Sequence, residues 1–142
     1  MDKKSALLSL YCSVLALLLI FSGILKIINP DDTIEMIQYI FNQTFGLGLG
    51  IRIILILMFI IILIEMLVGI CWLLKIYIRS TLFAMMFLFF GFTLLSLLLI
   101  IQNYKGSCGC FGSASPDFGT GHLIFVSLSA AAIFLTIRFR RE

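Results

Sequence analysis

Four long apolar stretches, separated by short polar or glycine-rich segments, set the pattern of this chain. Crossing about 30 Å of hydrocarbon takes roughly 20 mostly apolar residues in a helix. In lipid the backbone must satisfy its own hydrogen bonds, so each stretch is read as a helix. Spans are predicted over about 5–28, 51–75, 79–103 and 119–138. The stretch from Ser5 to Leu25 carries no charge, the second span holds Glu65, the third is rich in Phe and Leu, and the fourth is uncharged apart from the titratable His122. Isoleucine in the second span would favour a strand in water, but its length overrides that preference. Lys3 and Lys4 ahead of the first span resemble the start of a signal peptide. The apolar run is too long for one, however, and no small-x-small site follows it.

The connections refine this picture. Asn29-Pro30 ends the first helix, because proline disfavours helical geometry in the residue before it. Asp32 stands three residues before Glu35, a variant of the capping box, and Ile34, Ile37, Ile40 and Phe41 follow at helical spacing. A short amphipathic helix over about 32–43 is expected, lying on the outer membrane surface. Gly46, Gly48 and Gly50 then offer a flexible return into the second span. Only a few residues separate the second and third spans, which makes them an antiparallel hairpin. The fold class expected is an all-α integral membrane protein: a single domain over 1–142, built as a four-transmembrane-helix antiparallel bundle with a short outer interfacial helix.

Composition agrees with a lipid environment. Hydrophobic residues make up 62% of the 142, charged residues 12%, and the mean hydropathy is +1.20, whereas soluble domains are roughly a quarter charged. The net charge of +3 comes with no basic run, so nucleic acid is not an expected partner. The basic residues act instead as orientation signals. With a cytoplasmic N-terminus, the inside holds Lys3, Lys4, Lys75, Arg79, Arg138, Arg140 and Arg141, and the outside only Lys26, Arg52 and Lys105. The expected location is the inner or plasma membrane, with both termini cytoplasmic.

Candidate chemistry concentrates in the third connection, Lys105-Gly106-Ser107-Cys108-Gly109-Cys110-Phe111-Gly112-Ser113. In the predicted orientation this polar, glycine-rich segment faces the oxidising side, where disulfides persist. Cys108 and Cys110, one glycine apart, can close a small strained disulfide, and strained disulfides are reducible and labile. Gly109 supplies the backbone freedom so small a ring needs. Lys105 and the outward-facing N-termini of the second and fourth helices favour the thiolate. A permanent loop-tying disulfide, or two inert thiols, is the bland alternative. A bridge around one residue constrains the unfolded chain very little, which weakens the first of these. A metal site is not expected, because two sulfurs plus His122 make three ligands where a closed zinc site needs four.

Within the spans, Glu65 is costly to bury and so faces the bundle. It is read either as a carboxyl bonded to a neighbouring helix or as a proton or quinone contact, with the structural role preferred. Lys26 either snorkels to the interface or faces the Cys segment and stabilises a thiolate. Lys26 and Glu65 are expected to lie too far apart in depth to pair. Cys12 and Cys71 are read as small apolar residues, with a second redox pair as the minority alternative. His122 is either interfacial or a base near the cysteines.

Three segments carry a family resemblance: Phe21-Ser22-Gly23-Ile24-Leu25-Lys26-Ile27-Ile28-Asn29-Pro30, Glu65-Met66-Leu67-Val68-Gly69 and Cys108-Gly109-Cys110-Phe111-Gly112. In this order and over nearly the whole chain they resemble the MauE branch of the DoxX-like membrane proteins. The first two motifs are shared with the wider group, and the third points to MauE. The resemblance implies a four-helix redox-associated membrane protein linked to methylamine utilisation. It also implies a thioredoxin-fold extracytoplasmic partner of the MauD or TlpA type and a secreted, disulfide-containing client. A quinone is the one candidate cofactor, by analogy with quinone-linked disulfide generators. Those enzymes usually carry more loop cysteines than the single pair here.

The function expected is thiol-disulfide exchange by Cys108 and Cys110 with the thioredoxin-like partner, supporting maturation of exported proteins. Lys26, Glu65, Lys105, Phe111 and His122 support the site, and the amphipathic helix and the Phe111 segment form the docking surface. The alternatives are a non-catalytic membrane anchor for a secreted redox protein and a small proton-coupled transporter using Glu65.

Overall fold

A computed structural model of the chain describes residues 3–104, 106 and 120–139. The described residues form five helices: α1 (Lys3–Ile28), α2 (Asp31–Phe45), α3 (Ile51–Leu73), α4 (Ile78–Ile101) and α5 (Thr120–Phe139). Three of them, α1, α3 and α4, are long and apolar enough to cross a membrane, and α5 contributes the shorter apolar run Leu123–Arg138. The most extensive packing joins α1 to α3 and α4 to α5, with lesser contacts of α3 on α4, α1 on α5 and α2 on α3.

Local chemistry explains each boundary. Pro30 sits at the N-cap of α2, and its carbonyl accepts from the Ile34 amide at 2.9 Å, so α2 starts within two residues of the end of α1. Asp31 and Asp32 occupy the first turn of α2, where carboxylates complement the positive helix end. Gly46 ends α2 in the left-handed region at φ 61°. The Gly46 amide reaches back to the Asn42 carbonyl and the Leu47 amide to that of Phe41, each at 3.2 Å, the first being the 5→1 bond of an αL cap. Gly46 thus serves as a defined cap.

The α3–α4 connection is only Leu74–Tyr77, and two non-glycine residues, Lys75 and Tyr77, take positive φ to make the reversal. The Thr81 hydroxyl donates to the carbonyls of Ile76 at 3.0 Å and Tyr77 at 3.2 Å, the latter also accepting from the Thr81 amide at 3.0 Å, which ties the turn to the start of α4.

The inward face of every long helix repeats at three- and four-residue intervals, the seam of a helical bundle. On α1 it runs Cys12, Leu15, Ala16, Leu19, Ser22, Lys26; on α3, Ile54, Ile62, Glu65, Gly69, Trp72. On α4 it is Leu82, Met85, Phe89, Phe92, Ser96, Leu99, and on α5 Val126, Ser129, Ile133, Thr136. Ser22, Lys26, Glu65, Ser96, Ser129 and Thr136 are buried on these seams, whereas Leu7, Phe21, Ile56, Phe59, Phe87 and Leu128 point outward. That distribution is inverted relative to a protein folded in water, and it suits a lipid surround.

The apolar face of α2 packs on the protein itself, where Thr33, Met36 and Ile37 are buried. Asp31, Glu35, Gln38, Asn42 and Gln43 are exposed. The short links at both of its ends hold α2 over the bundle, and its apolar face takes the nearest apolar cover.

Candidate functional site

The closest helix contact carries the site. Gly69 of α3 lies against α1 so tightly that an added Cβ would stand 2.8 Å from the Ala16 carbonyl oxygen and 2.7 Å from Ile20 Cγ1. One turn away, a Cβ on Gly23 would meet Met66 Cγ at 2.8 Å. Small residues at such positions let membrane helices approach backbone to backbone. The two sequence motifs Phe21–Pro30 and Glu65–Gly69 therefore meet face to face.

At the centre of this contact the Lys26 ammonium donates to Glu65 Oε1 as a buried ion pair. The Ser22 hydroxyl donates to Glu65 Oε2 at 3.4 Å. Lys26 is 1% exposed and Glu65 0%. The ammonium also stands 5.6 Å from the centroid of the Phe92 ring on α4, within cation–π range. Phe92 in turn meets Phe89 edge-on, with centroids 6.1 Å apart. The carboxylate of α3 and the aromatic face of α4 thus flank the Lys26 cation, and the Ser22 hydroxyl of α1 holds the second carboxylate oxygen.

This corrects the expectation that Lys26 and Glu65 lie too far apart in depth, and the expectation that Lys26 snorkels outward. Side chains tilt toward the N-terminus of their own helix. The antiparallel contacts set Lys26 of α1 level with the residues just before Glu65 in α3. From there Lys26 leans back into the bundle, Glu65 leans the opposite way, and the two converge. Sequence reading also missed Ser22 and Phe92. The signal for Ser22 is its i, i+4 spacing from Lys26, and for Phe92 its place on the same α4 seam as Ser96.

A second polar cluster ties α2 to the end of α4 from which the Cys-containing segment departs. The Tyr39 hydroxyl donates to the Gln102 carbonyl at 3.1 Å, and the Gln102 amide nitrogen donates to Thr44 Oγ1 at 3.1 Å. The Tyr39 and Tyr104 rings lie 4.6 Å apart at 46°. Lys105, Cys108, Cys110 and Phe111 lie outside the described residues, and His122 falls in the first turn of α5. Cys12 is buried, with Sγ 3.7 Å from Thr136 Oγ1, and Cys71 is half-buried. Both remain thiols.

Apolar spans, inward-facing polar seams and an ion pair sealed between closely packed helices define a helical membrane protein. The chain belongs to the family of the methylamine utilisation protein MauE, whose model matches residues 4–138. No curated protein and no solved structure matches it. The family description associates the chain with methylamine utilisation.

Proposed function

We propose that the protein is a four-span membrane thiol-disulfide exchange protein in which Cys108 and Cys110 cycle between dithiol and disulfide. In this reading both termini are cytoplasmic and the Cys segment faces outward. A thiolate of one cysteine attacks the disulfide of a thioredoxin-fold partner and forms a mixed disulfide. The second cysteine then attacks its neighbour's sulfur and releases the partner as a dithiol. Two electrons move to the partner and two protons follow them. The reverse sequence uses the same atoms, and the partner's potential sets the net direction.

The observation that carries this reading is membership of the MauE family together with the Cys108-Gly109-Cys110 sequence between α4 and α5. The Tyr39–Gln102 contact supports it. It brings α2, with its exposed Asp31, Glu35 and Gln38, to the same end of the bundle as the start of the Cys segment. A partner docked there would meet a polar helix at the end of the bundle from which the Cys segment departs. The Lys26–Glu65 pair acts in this scheme as a neutralised clamp between α1 and α3.

The test is the redox state of Cys108 and Cys110 in cells, read by acid quench and alkylation with a bulky maleimide. Exchange predicts a mixed population, and a Cys110→Ser variant trapping a reductant-sensitive adduct with a thioredoxin-fold protein. A pair that stays oxidised, resists reductant and traps nothing overturns exchange and leaves the non-catalytic anchor.

A further inference from the structure

At the opposite end of the bundle from α2, helices α4 and α5 part to leave a groove of about 280 Å³ lined by Phe83, Met86, Phe134, Ile137 and Arg138. Four of the five side chains are apolar and open to the surroundings, while the fifth places a guanidinium at one end. Arg138 stands four residues after Phe134 on α5, and Arg79 stands four residues before Phe83 on α4. Residues four apart share a helix face, and the N-terminus of α4 and the C-terminus of α5 lie at the same end of the pair. Arg138 therefore stands at the groove itself, and Arg79 lies one turn beyond Phe83 at the same end of the pair. Both are exposed.

We infer that this groove binds one anionic phospholipid, its acyl chain along Phe83, Met86, Phe134 and Ile137 and its phosphate between Arg79 and Arg138. The chemistry is complementary at both ends. The groove wall offers what an acyl chain contacts, and guanidinium forks match phosphate oxygens bidentately. In the proposed topology this end lies at the cytoplasmic leaflet, where anionic lipids draw basic residues. The binding itself needs only that the pair be immersed in a bilayer, so it stands or falls apart from the thiol chemistry.

The test is native mass spectrometry of the full chain in detergent, titrated with phosphatidylglycerol or phosphatidylcholine of identical acyl chains. One phosphatidylglycerol is expected to be retained in preference to phosphatidylcholine. Arg79→Gln and Arg138→Gln should each weaken that retention about fivefold. Met86→Trp, which fills the groove and keeps both charges, should reduce retention of both lipids. Arg52→Gln, in the first turn of α3 at the other end of the bundle, should change nothing. Equal retention of the two lipids, or an Arg52→Gln loss matching the other two, would overturn the site. A dimer that Met86→Trp dissociates without altering lipid retention would assign the groove to a second copy and overturn it too. Circular dichroism confirms that each variant is folded before it is scored.

Discussion

The Lys26 ammonium and the Glu65 carboxylate meet inside the α1–α3 contact, each almost wholly removed from solvent. Neither charge is tolerable there alone, because an isolated ion in hydrocarbon loses far more solvation than packing returns. Together, with Ser22 and the Phe92 ring, they form a locally neutral group. Gly23 and Gly69 give the backbones room to approach and bring the two motifs together.

Removing one partner leaves the other charge buried and unpaired. Lys26→Met or Glu65→Gln alone should destabilise the fold by about 3–5 kcal/mol. The double variant should recover most of that loss. A double-mutant cycle on denaturant unfolding in detergent reads the coupling directly. If the double variant folds and still cycles Cys108 and Cys110, the pair is a clamp; if it folds and no longer cycles, the pair acts in the chemistry.

Gly69 and Gly91 make a matched comparison. A methyl at Gly69 meets the Ala16 carbonyl, a backbone atom that cannot swing aside, so Gly69→Ala should cost about 1–3 kcal/mol. Gly91 lies within α4 with nothing within 4 Å of the added Cβ. Gly91→Ala should be neutral or stabilise by up to about 1 kcal/mol, since alanine holds a helix better. Thermal midpoints of the two variants in one detergent should move in opposite directions, or Gly91→Ala should not move at all.

Tyr39→Phe removes the hydroxyl that reaches the Gln102 carbonyl and keeps the ring beside Tyr104. The expected loss is about 1 kcal/mol, the net worth of one hydrogen bond. Hydrogen exchange should rise about fivefold at the amides of α2 and of the last turn of α4, with the α1–α3 contact unchanged. A uniform rise across the chain would show that Tyr39 supports the whole fold.

The proposed four-span topology predicts which sites a membrane-impermeant maleimide reaches in intact cells. In a cysteine-free background, cysteines at Gly48 and Asn29 should label from outside. Cysteines at Tyr77 and Glu142 should label only after permeabilisation. External labelling at Glu142, with Tyr77 still protected, would remove α5 from the set of spans.

The helical character and the membrane-spanning potential were legible in the sequence because both follow from local quantities. A run of about 20 apolar residues, a proline after Asn29 and a glycine after Phe45 act whatever else the chain does. The family was legible because its motifs are contiguous strings. Cys108, Cys110, Lys105 and Phe111 rest on that reading, since they lie outside the described residues.

Which way each helix faces was much harder to read. In a helix that is apolar all round, hydropathy does not distinguish the lipid side from the bundle side. Sparse polar residues, Ser22, Lys26, Glu65, Thr81, Ser96, Ser129 and Thr136, mark the inner face. Tertiary structure alone decided that Lys26 pairs with Glu65, because depth along one helix says nothing about which way a long side chain leans on another. It decided equally that α2 lies on protein. An amphipathic pattern specifies an apolar cover, and only the three-dimensional placement of the neighbouring helices supplies one.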